Sequence, residues 1–92
     1  MTTADVLREA RALYAAAPSH AVPGQSPKHD TECVMTAICA VTTAEGAYWD
    51  AVEALRRAVG DVDSLVAWNA EHSTAEVLAA FDRAIEACAV PA

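Results

Sequence analysis

The sequence predicts an all-α protein, a compact bundle of four main helices plus a short helical turn, with no sheet. Three observations predict it: apolar residues recur at three-and-four spacing, no segment sustains two-residue alternation, and helix-stopping residues separate the periodic stretches. The 92 residues are expected to form one helical domain over 1–92. The apolar fraction is 54%, but much of it is alanine, which favours helix and buries little surface per residue. The expected core therefore rests on Leu7, Leu13, Tyr14, Val34, Ile38, Val41, Val52, Leu55, Leu65, Trp68, Val77, Leu78, Phe81 and Ile85. A homodimer is one way to enlarge so thin a core.

Thr2 or Thr3 can cap a first helix whose apolar residues fall at Val6, Leu7, Ala10, Leu13, Tyr14 and Ala17, and Pro18 stops it. The stretch "PSHAVPGQSPKHD" holds three prolines and a glycine without apolar periodicity, which predicts a long surface loop over 18–30. Asp30 or Thr31 opens a second helix ending near Val41. Its "CVMTAICAV" is apolar on nearly every side, so it is the expected central and most buried helix. A third helix is predicted over 47–59, with Tyr48, Ala51, Val52, Leu55 and Val59 on one face and Gly60 as its stop. "DVDSLVAW" predicts one short helical turn or two, with Leu65, Val66 and Trp68 turned inward. Ser73 and Glu76 then form a capping box, in which hydroxyl and carboxylate satisfy reciprocal backbone N–H groups. The last helix carries Val77, Leu78, Phe81, Ala84, Ile85 and Cys88 on one stripe.

The formal net charge is −7, with no basic cluster beyond Arg56 and Arg57. Such a surface argues against direct nucleic-acid binding and against docking on an anionic membrane, and leaves room for a protein partner with a basic surface. "MTTADVLREA" reads as a helix start rather than a secretory signal, and the longest uncharged stretch is too short to span a bilayer. The three cysteines, Cys33, Cys39 and Cys88, are expected to be reduced, mostly buried thiols in a cytoplasmic protein.

No candidate constellation carries chemistry well. His29 and Cys33 are one helical turn apart, with Cys39, His20 and His72 as companions, but no CxxC or HxxxH pair exists, so neither a metal nor another cofactor is expected. Cys33 near a helix start could be an activated thiol, yet no glycine-rich oxyanion turn lies nearby. The pair Asp61 and Asp63 reads as a solvated turn. At the "AWNAEH" corner, Trp68 is expected as a core side chain whose indole reaches a backbone carbonyl. Asn69 is expected at a helix end, closing the turn or adopting a left-handed backbone. Around them Asp61, Asp63, Glu71 and Glu76 occur with no Lys or Arg between Arg57 and Arg83. Asp61, Asp63 and Glu71 are the residues expected to face a partner, while Trp68, Asn69, Ser73, Glu76 and Phe81 are expected to be structural.

"CVMTAI" and "AWNAEHSTAEVLAAFDRAI" resemble an uncharacterised family of small helical domains found in actinobacteria and their phages. That family carries Cys-x-x-Gly-Ala-Leu, then Trp-Asn-Asp, a polar turn and a helix beginning Thr-Ala-Glu-Glu-Val-Leu. The matching residues are Cys33, Ala37 and Ile38, then Trp68, Asn69, Thr74, Ala75, Glu76, Val77 and Leu78. Thr36 stands where the family has glycine, and Ala70 replaces the aspartate, which removes a carboxylate from the corner. The resemblance implies a helical fold and an actinobacterial or actinophage origin, and no reaction.

Size, charge and the phage link together predict a non-enzymatic protein-interaction domain acting on a host protein. An acidic mimic of nucleic acid, occupying the basic groove of a nucleic-acid-binding protein, is the alternative. A cysteine-dependent enzyme stands third.

Overall fold

The computed structural model describes residues 2–16 and 34–89. They form five helices, α1 (Thr3–Ala16), α2 (Val34–Val41), α3 (Glu45–Ala58), α4 (Leu65–Glu71) and α5 (Thr74–Ala89), and no strand occurs among them. The loop expected over 18–30 and the start expected for the second helix lie outside the described residues.

The starts of α1, α4 and α5 each have a local cause, whereas α3 starts after Ala44 with no side-chain cap. Thr2 Oγ1 accepts the Asp5 N–H at 3.1 Å while the Asp5 carboxylate accepts the Thr2 N–H at 3.1 Å, so two otherwise orphaned donors at the start of α1 are satisfied reciprocally. Ser64 Oγ accepts the Ala67 N–H at 3.2 Å and starts α4. At α5, Ser73 Oγ accepts from Glu76 at 3.2 Å, and Glu76 Oε1 accepts the Ser73 N–H at 2.9 Å.

Helix α3 begins at Glu45, two positions before the expected 47, and ends in a Schellman turn. The Gly60 N–H donates to Arg57 O at 3.2 Å and the Asp61 N–H to Arg56 O at 3.0 Å. Gly60 has φ +99°, which glycine adopts without a Cβ penalty, and Asp61 follows at φ 60°. Arg56 then straps this turn: its guanidinium holds Glu53 at 2.7 Å, contacts Asp61 at 3.2 Å and donates to Val62 O at 3.2 Å.

One cluster of buried side chains draws on all five helices. At its centre Tyr14 and Phe81 pack with ring centroids 6.1 Å apart, and both are fully buried. Burial of a phenylalanine of this kind contributes roughly 2–3 kcal/mol. Arg11 closes the same α1–α5 contact from outside, its Nε 2.8 Å from one Asp82 carboxylate oxygen and its Nη2 donating to the other at 3.3 Å.

The structure corrects several expectations. Helix α2, expected to be the most buried, packs against α1, α3 and α4 and buries Val34, Ala37 and Ile38, but turns Cys39 and Ala40 to solvent. Apolar composition on every side does not by itself bury every side. Leu13 lies at the margin of the α1 stripe and is 36% exposed. Val66 points outward on α4, because the inward line of that helix runs from Leu65 to Asn69, four residues on. Cys39 and Cys88 are exposed rather than buried, and Cys33 lies outside the described residues.

Candidate partner-binding corner

Helix α4 has two faces with different chemistry. On the inner face Asn69 is buried within the helix, two residues before its end. It neither closes a turn nor adopts a left-handed backbone; Asp61 is the non-glycine residue that does so among those described. Its Oδ1 accepts the backbone N–H of Val34 at 2.8 Å, and its Nδ2 donates to the Tyr14 hydroxyl at 2.9 Å. The Val34 N–H can only donate, which fixes the orientation of the amide. Val34 is the first residue of α2, where an intrahelical acceptor is ordinarily lacking. A side chain 35 positions away supplies it. Asn69 thus ties α4 to both α1 and α2.

On the outer face Trp68 is half-buried, packed against the core on one side and stacked on the other against His72, with centroids 4.2 Å apart and planes 19° from parallel. His72 Nδ1 lies 2.6 Å from Trp68 O. A carbonyl only accepts, so the proton sits on Nδ1. The pair borders an open groove of about 300 Å³, lined also by Ala58 and Val59 of α3 and by Glu76, Ala79 and Arg83 of α5. Arg83 Nε reaches Ala58 O at 3.4 Å, placing a cation at the negative end of the α3 dipole. The Glu76 carboxyl sits below its ordinary range, chiefly through the Ser73 backbone N–H, then the Ser73 hydroxyl, with His72 adding a smaller attraction.

Asp61, Asp63 and Glu71 are all exposed. Asp61 is not a free surface charge, because Arg56 folds back from α3 onto it at 3.2 Å. Charges at Asp61 and Asp63 in turn help hold the Arg56 guanidinium above its ordinary range, behind the larger effect of its hydrogen bond to Glu53. The acidic run read from sequence therefore has a cation inside it. Asp63 and Glu71 carry the outward charge.

Two features escaped the reading of the sequence. The Trp68–His72 stack was signalled by four-residue spacing at the end of a helix. A second cleft of about 280 Å³, lined by Cys39, Thr42, Thr43, Ala44, Glu45, Tyr48 and Trp49, has an exposed Trp49 set edge-on to Tyr48 at 4.9 Å. Among the described residues no group of three His, Cys, Asp or Glu is placed to hold a metal ion, and no helix is long and apolar enough to cross a membrane. His20, His29 and Cys33 lie outside them.

Fold and corner together define, among the described residues, a small helical bundle with a polar node buried at the junction of three helices and an open aromatic groove beside it. The chain belongs to the family of unknown function DUF6197, which matches residues 1–87. No curated protein and no solved structure matches the chain. The two stretches that carry the resemblance noted above meet at the hydrogen bond from Val34 to Asn69.

Proposed function

We propose that this protein is a non-enzymatic interaction domain that docks a partner with a basic surface on its α3–α4–α5 corner. One observation carries the reading: a groove holding a half-buried Trp68 stacked on His72, with Glu76 in its lining and Glu71 directly before His72. Large rigid aromatics with ionised carboxylates beside them suit lysine and arginine side chains. The net charge of −7 adds long-range attraction to such a partner. The resemblance to actinobacterial and phage domains extends the proposal to a phage product acting on a host protein in the cytoplasm. The same charge also supports the second reading, occupation of a basic nucleic-acid-binding groove.

The test begins with a pull-down from an actinobacterial lysate and mass spectrometry, followed by association kinetics with the partner identified. Reversing Asp63 and Glu71 to lysine should leave helix content unchanged while slowing association about tenfold at low salt. Asp61 is left alone, because reversing it would disturb Arg56 as well. An association rate equal to wild type would rule the corner out, and displacement of the partner by DNA would favour mimicry.

A further inference from the structure

We propose that the cleft at the α2–α3 junction docks a proline-rich segment of a partner protein, one that carries lysine or arginine beside its prolines. This face is not the α3–α4–α5 corner, and the inference stands on its own observations. Tyr48 is half-buried and packed against the core, which fixes its ring, while its neighbour Trp49 is 53% exposed. The two rings have centroids 4.9 Å apart and planes 79° from parallel, so they make an angular aromatic wall to an open cleft of about 280 Å³. Tryptophan and tyrosine in such positions are enriched among the side chains that anchor protein interfaces.

The form of the occupant follows from what the cleft lacks and what it offers. A peptide that adds as a strand needs a sheet edge, and no strand occurs among the described residues. An amphipathic helix needs a groove that takes anchors over about two turns, whereas this cleft is lined by the end of α2, the 42–44 connection and the start of α3. A phosphopeptide needs clustered cations, and the charged side chain in the lining is Glu45. A polyproline II segment suits the cleft on each count. Its pyrrolidine rings are apolar and already fixed in conformation, so they pack on tryptophan and tyrosine at little entropic cost, and its backbone carbonyls have no internal partners. Thr43 and the Trp49 indole bring side-chain donors to the lining, while the Thr42 hydroxyl is already given to Ile38 O at 2.9 Å. Glu45 in the lining and the exposed Asp50 beside Trp49 make this end acidic, which favours a cation next to the prolines.

The test uses a fluorescein-labelled peptide of ten prolines followed by two arginines, and a control in which alternating glycine and serine replace the prolines. By anisotropy the full chain should bind the proline peptide about tenfold more tightly than the charge-matched control. Trp49→Ala, at an exposed position, should keep the helix content and weaken the proline peptide about tenfold. Glu45→Gln should weaken it about threefold at low ionic strength. In a Trp68→Phe background the remaining indole is Trp49, and its fluorescence should change saturably with the unlabelled peptide. Equal binding of the two peptides would reduce the attraction to charge and overturn the inference, as would binding by Trp49→Ala at the wild-type level. A homodimer in sedimentation that Trp49→Ala dissociates would give the cleft to a second copy of the chain and overturn it too. None of these outcomes depends on the corner docking its own partner.

Discussion

Trp68 and Asn69 are neighbours in sequence and on one short helix, yet they do opposite work. Asn69 is 3% exposed and spends both ends of its amide inside the protein, on Val34 and Tyr14. Trp68 is half-buried and spends its outer face on His72 at the wall of an open groove. The difference teaches that a helix one side deep can separate the chemistry that holds the fold from the chemistry offered to a partner, because successive residues turn about 100° apart. A polar side chain is tolerated in the interior only when its hydrogen bonds are all made there.

The largest difference between the two positions should appear in stability. Asn69→Ala takes away the acceptor of the buried Val34 N–H and a donor to the Tyr14 hydroxyl, and is expected to cost about 2–4 kcal/mol in urea unfolding. Its effect on partner binding should follow only the fraction unfolded. Trp68→Ala removes a side chain that is only half-buried and is expected to cost about 1–2 kcal/mol, less than a fully buried tryptophan. Binding should fall further than its unfolding explains. If Trp68→Ala proves the more destabilising of the two, the division of α4 into an inner and an outer face is wrong.

The smallest effect sharpens the comparison at the edge of the groove. The Glu76 carboxyl is held below the ordinary glutamate value of 4.5, so its contribution to stability is complete above that value and is lost as pH falls through the lower, folded one. Melting temperatures of wild type and Glu76→Gln should therefore differ at pH 7, and the difference should shrink as the pH falls below 4.5. A difference that does not change with pH would mean that Glu76 stabilises through packing and not through its ionised contacts with Ser73.

Much of the helical framework was legible in the sequence because its causes are local. The α3 stop at Gly60 and the Ser73–Glu76 spacing are read within a few residues of themselves, and the apolar stripes carry a helical period. What was not legible depended on distance along the chain. The partners of Asn69 lie 35 and 55 residues away, and nothing beside Asn69 announces them. Arg56 precedes the acidic run in sequence, and it is the Schellman turn that folds the chain back to bring Asp61 onto it. The exposure of Cys39 and Cys88 depends on which sides of α2 and α5 the other helices cover, and apolar composition does not specify that.

Amide hydrogen exchange at Val34 tests the inner half of the account most directly. The N–H at the start of a helix ordinarily has no intrahelical acceptor and exchanges fast, whereas here it is buried and bonded to Asn69 Oδ1 at 2.8 Å. In the wild-type protein the Val34 amide should be protected to nearly the same degree as the core amides of α1 and α5. In Asn69→Ala its protection should fall well below theirs. Fast exchange of Val34 in the wild type, or protection in Asn69→Ala still matching the core amides, would contradict the placement of Asn69 as the buried tie between α4 and α2.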